Sequence, residues 1–196
     1  SDEVLMGFRL RCGPSCRDVG LEPDLLTLGK AVGSGIPVAA VLGTKEAFRA
    51  VEDGRANRAG TYHGNPLATA AVLATLDELR KQDYAALLAR GDRLRAVIVE
   101  AFAAAGVVAS TGGYGSVFSL WFAPEAPTRY EGARAVLRPE ASAALHLALR
   151  RQGVVTIPGG WGRIFLSFAH DDETLGMTAE AFRKVAPEIA AILGSR

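Results

Sequence analysis

The chain has 196 residues, 49% hydrophobic and 22% charged, the balance of a folded globular protein with one sizeable core or two small ones. Lys+Arg 22 against Asp+Glu 21 gives a net charge of +1, with no basic block and no aromatic-basic interleaving, which argues against nucleic acid and for a small-molecule partner. The longest apolar stretches, Pro66 to Leu76 and Ala101 to Ser110, are alanine-rich and shorter than the ~20 residues that span a bilayer, so no membrane segment is expected.

Ser1-Asp2-Glu3-Val4 carries neither an initiator methionine nor a basic-then-apolar signal, so a cytoplasmic location is expected by default. Cys12 and Cys16 are too few for a zinc site or a disulfide framework; both are expected to be reduced and non-catalytic, and no metal is expected.

Asp2 to Phe8 reads as the end of a strand and a turn at Gly7, with no apolar run before it to complete the strand, so the chain is expected to begin inside a larger domain. Asp24 to Thr27 and Val38 to Leu42 read as short buried strands around a loop that contains Lys30. Thr44 to Val51 reads as a capped helix with Glu46 in its first turn. Pro66 to Lys81 is apolar on every side in its first three turns, which predicts a buried helix. Asp83 to Ala105 predicts an amphipathic helix with Leu87, Leu94, Ile98, Ala101 and Phe102 inward, weakened at Gly91 by ~1 kcal/mol relative to alanine.

From Asp83 onward the pattern becomes that of a compact α+β unit, so a domain boundary is expected there, dividing residues 1–82 from 83–196. Val107 to Ser110 and Ser116 to Phe122 are expected strands around a turn at Gly112-Gly113-Tyr114-Gly115. Pro139 and Gly153 frame a helix, and Val154 to Ile157 and Ile164 to Ala169 are expected strands. The last helix opens on Asp171-Asp172-Glu173, buries Leu175, Phe182, Val185, Ile189 and Leu193, and should kink at Pro187.

Lys30 stands out among only four lysines, because it lies in Thr27-Leu28-Gly29-Lys30-Ala31-Val32-Gly33-Ser34-Gly35 with apolar and glycine neighbours. Such a setting predicts partial desolvation, which disfavours the charged form and makes the amine a nucleophile toward carbonyls. A P-loop is excluded by Asp24 and Ala31 where glycine and Ser/Thr are needed. No nucleophile elbow, zinc-binding His-Glu-x-x-His or dinucleotide fingerprint occurs.

Three segments remain, in order: Asp2-Glu3-Val4 with Gly7-Phe8-Arg9, Pro23-Asp24-Leu25-Leu26-Thr27-Leu28-Gly29-Lys30, and Gly60-Thr61-Tyr62-His63-Gly64-Asn65-Pro66. With Ser167-Phe168-Ala169-His170 before an acidic-capped helix, the chain resembles the class III aminotransferases of the pyridoxal phosphate fold type I superfamily, most closely the glutamate-1-semialdehyde aminomutase group. The resemblance implies an α/β fold: the latter part of a large mixed-sheet cofactor domain, then a small α+β C-terminal domain. The family's subunits are about twice this length, and their first half supplies the main phosphate loop and the aromatic that stacks on the cofactor ring.

The resemblance also implies roles. Lys30 would form a Schiff base with pyridoxal phosphate and then move the proton as general base and acid; Asp2 would pair with the pyridine nitrogen; Val4 would pack on the ring; and Thr61 would reach the phosphate of a neighbouring subunit's cofactor, making a homodimer with a shared site. His63, His146 and His170 are expected to be hydrogen-bonded structural residues. Trp161-Gly162-Arg163 departs from the aminomutase pattern, which has an acidic residue there, and Arg163 could hold a substrate carboxylate. Three readings stay open: an aminomutase-like enzyme, a transaminase for ω- or β-amino acids or amines, and a non-catalytic fragment that associates with a partner.

Overall fold

Leu25–Leu28 (β1) pairs antiparallel with Ala40–Gly43 (β2) in register Leu25↔Gly43 to Leu28↔Ala40, in a computed structural model that describes residues 1–194. Backbone contacts gather the chain into two compact units, Ser1–Tyr84 and a second from Ala85 onward.

In the first unit, the other edge of β1 takes a single parallel bridge, Asp2↔Thr27; Glu3 N donates to Thr27 O and Thr27 N donates to Ser1 O, both at 3.0 Å. Between β1 and β2 the chain makes one 3-10 turn, Lys30–Gly33, and leaves it through left-handed Ser34 (φ 45°). Lys45–Glu52 (α1) starts where Thr44 accepts from Ala47 N at 3.2 Å, and Pro66–Leu79 (α2) where Asn65 accepts from Ala68 N at 3.0 Å.

Two burial expectations are corrected here. β2 is exposed along its length, with Val41 59% and Leu42 44% accessible, and α2 has no buried residue. One side of α2 lies half-buried beside the Lys30–Gly33 turn, while Leu67, Ala70, Leu73 and Ala74 form an exposed apolar stripe, Leu67 being 72% accessible. An all-apolar helix records faces suited to burial. It does not record whether the same unit supplies the cover.

The second unit is a three-stranded antiparallel sheet, Ser110–Tyr114 (β3), Val117–Trp121 (β4) and Arg163–Phe165 (β5), in order β3-β4-β5. Its helices are Tyr84–Ala104 (α3), whose first residue still belongs to the first unit, Tyr130–Val136 (α4), Pro139–Arg151 (α5) and Asp172–Gly194 (α6). The core joins Leu94, Ile98 and Phe102 of α3, Phe118 and Leu120 of β4, Leu149 of α5 and Phe182, Val185 and Ile189 of α6. Phe102 meets Phe122 and Phe182 edge-to-face, at centroid separations of 5.3 and 6.4 Å.

Several local expectations are also corrected. Gly91 is buried, and a Cβ added there would stand 2.0 Å from Gly115 O, so its bare backbone is a packing requirement rather than a weak point. Val107 to Ala109 is not a strand; β3 runs through Gly112 and Gly113, because pairing with β4 fixes them, and the turn falls at Gly115 (φ 39°) and Ser116. Val154 to Ile157 is not a strand, the expected strand at Ile164 to Ala169 shrinks to β5, and α4 was not foreseen. α6 continues through Pro187, which has no N–H to donate to the preceding turn. Among the described residues no helix is long and apolar enough to cross a membrane, and both Cys12 and Cys16 are free thiols.

Candidate active site

Asp2 bridges Thr27 at the edge of β1, and the chain turns from Val4 onward, with the Glu3 carbonyl accepting from Gly7 N. Asp2 is exposed, Glu3 is 2% accessible and Val4 is half-buried. Asp2 Oδ1 accepts from Val4 N at 3.0 Å and from Thr27 Oγ1 at 3.2 Å, while Oδ2 has no partner among the described residues. Val4 Cγ1 lies 3.2 Å from the position a Cβ on Gly29 would occupy. Asp2 and Val4 are thereby fixed against β1 and against the residue that precedes Lys30.

Lys30 opens the 3-10 turn with φ 47°, a left-handed conformation that costs an L-residue roughly 1–2 kcal/mol. Strain of this kind clusters at functional positions. The expected desolvation is not found: Lys30 is exposed, in a shallow hollow that it lines with Arg9, Ser34, Gly35, Ile36 and Val38. The apolar neighbours that suggested burial, Leu28, Val32 and Gly33, are themselves buried under the turn, and the lysine side chain projects outward. Among the described residues Lys30 Nζ has no hydrogen-bond or ion-pair partner.

Two site neighbours were missed from the sequence. Glu3 has a carboxylate surrounded by donors: Ser15 N at 3.0 Å and Ser15 Oγ at 2.7 Å to Oε2, Cys16 N at 2.8 Å and Ser1 Oγ at 3.3 Å to Oε1. Burial pushes this carboxyl up, but the bonds from Ser15 and Cys16 outweigh it and hold it below the usual range near 4.5. Arg9 is half-buried in the Lys30 hollow, its Nε donates to Leu5 O at 3.4 Å, and burial pushes the guanidinium down from its ordinary value. The turn that carries Arg9 is held by Tyr84, whose hydroxyl donates to Phe8 O at 3.3 Å; burial and then the nearby Cys12 push that phenol up to about 12.

Thr61 lies in an exposed turn, and Gly60 is covered by the ring of His63, whose Nδ1 bonds Arg58 O. In the second unit Arg163 begins β5, is exposed, and its guanidinium has no partner among the described residues. It lines a mainly apolar pocket with Leu120, Leu145, His146, Thr156 and Phe182. His170 Nδ1 accepts from Ser167 N at 3.0 Å, and His146 Nδ1 bonds Thr156 Oγ1 at 3.2 Å, so all three histidines are hydrogen-bonded.

The family described as aminotransferase class-III matches residues 1–186. A glutamate-1-semialdehyde 2,1-aminomutase of Nitratidesulfovibrio vulgaris is 36% identical over 189 residues, which cover 94% of this chain and 43% of that protein. The protein of that name from Thermus thermophilus is 38% identical over 187 residues, covering 94% and 44%. Among solved structures, the β-phenylalanine aminotransferase of Variovorax paradoxus superposes with TM-score 0.83 at 27% identity, over 97% of this chain and 44% of its own. The pyridoxal phosphate-bearing FumI protein of Sphingopyxis sp. MTA144 gives 0.82 at 26%, over 99% and 44%. The chain therefore spans less than half the length of these relatives and has the architecture of pyridoxal phosphate fold type I. With its family matched over residues 1–186, the chain belongs to the class-III aminotransferases.

Proposed function

We propose that this chain carries the lysine-bearing part of a pyridoxal phosphate-dependent enzyme of amino-group transfer, nearest the aminomutase group, with residues 1–82 completing the large domain and 83–196 forming the small one. The observation that carries this reading is the placement of Asp2 and Val4 beside the Gly29-Lys30 step, through the Asp2↔Thr27 bridge and the Val4–Gly29 contact. The donor set suits the group: an amine without a counterion, and a carboxylate with one oxygen held by two donors and the other open.

When bound, pyridoxal phosphate supplies the electron sink that lets a C–H bond beside an amino group break and re-form. Lys30 Nζ would be the residue that holds the cofactor, and its free amine would accept and return the proton at the reacting carbon. Asp2 Oδ2 would accept from the ring N–H, where its negative charge would favour the protonated nitrogen. Val4 packs on the ring face. Thr61 Oγ1 donates to a phosphate in the neighbouring subunit, so the working form is a cytoplasmic homodimer acting on small amino or keto acids. Exposed Thr61 and the apolar stripe of α2 support that assembly.

The test is to add pyridoxal phosphate to the purified chain and record its absorbance, then repeat with Lys30→Ala. A band that needs Lys30 is expected. A band untouched by the substitution removes Lys30 from the role, and no band with the wild-type chain favours the non-catalytic fragment. A second reading, a transaminase for ω- or β-amino acids, is favoured by the unpartnered Arg163 guanidinium, which is suited to a bidentate carboxylate. Consumption of pyruvate or 2-oxoglutarate as amino acceptor separates it from an intramolecular aminomutase. In the transaminase case Arg163→Ala should raise KM for carboxylate substrates while leaving amines unaffected.

A further inference from the structure

Glu3 is the one carboxylate of the first unit that is buried, and the donors around it, from Ser1, Ser15 and Cys16, are neutral. An ionised group is expensive to bury unless hydrogen bonds replace its hydration. Here they converge from one place: Ser15 and Cys16 open the 3-10 turn Ser15–Val19, so both Glu3 oxygens are clamped by that turn's amide end. The backbone of Glu3 is tied as well. Its N–H donates to Thr27 O, its carbonyl accepts from Gly7 N at 2.8 Å, and a Cβ on Gly7 would stand 2.7 Å from that carbonyl.

The flanking residues have far weaker anchorage of their own. Asp2 is exposed and is held by the bonds of one oxygen, and Val4 rests on a glycine. Glu3 stands between Asp2, which bridges Thr27, and Val4, which opens the following turn, so a clamp on Glu3 holds the backbone from which both neighbours project. We propose that Glu3 is a positioning residue: its clamp to Ser15 and Cys16 holds the Asp2 carboxylate and Val4 in the orientation needed to receive the cofactor ring. The inference rests on the roles proposed for Asp2 and Val4. It assigns Glu3 no contact with cofactor or substrate.

The experiment uses the full chain and two readouts, hydrogen exchange at the Val4 amide, which donates to Asp2 Oδ1, and the dissociation constant for pyridoxal phosphate. Glu3→Gln keeps the side chain's shape but turns one acceptor oxygen into a donor. Val4 exchange should then accelerate, and cofactor binding weaken, by about tenfold, the scale of one charge-assisted hydrogen bond. Amides of β1 and β2 should keep their protection. In an Asp2→Ala background the same substitution should add nothing further to Val4 exchange, since that bond to Asp2 is already gone, and should weaken cofactor binding only by the part that passes through Val4; a merely structural loss would add in full to both.

Unchanged Val4 exchange in Glu3→Gln, or a full additive effect in the Asp2→Ala background, overturns the proposal. Should Glu3→Gln fail to fold, Ser15→Ala removes the 2.7 Å bond and leaves the charge, and Val4 exchange must still rise, by a smaller factor; no rise overturns the proposal. If the wild-type chain shows no Lys30-dependent band, the reading of the site fails separately, and the exchange measurements still decide whether Glu3 holds Asp2.

Discussion

Val4 closes on the bare Cα of Gly29, so that a methyl group added there would meet Val4 Cγ1 at 3.2 Å. Gly29 itself is extended, with φ −170°, so a side chain is tolerated by the backbone and opposed only by Val4. Gly29→Ala should displace Val4 by a few tenths of an ångström and change stability by less than about 1 kcal/mol. Pyridoxal phosphate binding should fall several-fold, and Gly29→Val should do more. Urea denaturation alongside cofactor titration checks this; binding unaffected by either substitution would reduce the contact to ordinary packing.

The left-handed backbone of Lys30 gives a second expectation. Glycine adopts φ 47° without the Cβ penalty, whereas alanine keeps it. Lys30→Gly should therefore be about 1 kcal/mol more stable than Lys30→Ala, net of the extra chain entropy of glycine, although both lose the amine. Denaturation midpoints of the two variants would show it, and equal midpoints would argue against the strained geometry.

Acid should weaken the first unit through Glu3. Burial raises its carboxyl, but the hydrogen bonds from Ser15 and Cys16 prevail, so the folded form titrates below the ordinary value of 4.5. A depressed carboxyl stabilises the fold in its ionised form, fully above the ordinary value, and that contribution disappears as pH falls through the lower, folded one. Stability measured in urea across this acid range should decline less steeply in Glu3→Gln than in wild type. Exposed Asp171, held low by the Thr174 hydroxyl and amide, adds acid sensitivity to the start of α6 that the substitution leaves in place.

Gly91→Ala is predicted to destabilise despite improving helix propensity. The added methyl would fall 2.0 Å from Gly115 O and 2.8 Å from Ser116 N, both backbone atoms that cannot rotate away. Overpacking of this kind costs about 1–3 kcal/mol or more, against roughly 1 kcal/mol gained from propensity. A fall in thermal midpoint is expected; a rise would mean that α3 can back away from the β3-β4 turn.

The exposed stripe of α2 leads to an assembly test. Leu67→Glu should shift the chain toward monomer in sedimentation velocity while circular dichroism shows α2 intact, because Leu67 is 72% accessible and makes little contact within its own unit. Loss of helix instead would locate the leucine's role inside the monomer.

Short-range chemistry was the legible part of this sequence. Thr44, Asn65 and the Pro139 to Gly153 frame declare their helix ends because capping is settled within a few residues. The inward turn of Glu3 depends on donors from Ser15 and Cys16, twelve and thirteen residues away, which counting along Asp2-Glu3-Val4 does not supply. What lay beyond reach depends on partners distant in sequence. β3 accepts Gly112 and Gly113 only because β4 pairs with them, and α4 has no side-chain cap at Arg129 to announce it. The exposure of Lys30 and of α2 was misread for a related reason: apolar letters state an appetite for burial, and satisfying it takes surfaces that the local sequence does not contain.

Among the described residues β2 pairs with β1 alone, and its outer edge runs through Ala40-Val41-Leu42-Gly43, which has neither charge nor proline. An uncapped border of this kind is a template for further strands, and nothing in the segment acts as a gatekeeper. Concentrated solutions of the isolated chain should accordingly nucleate cross-β deposits from this ribbon, and a lysine at Val41 should delay their onset in thioflavin fluorescence.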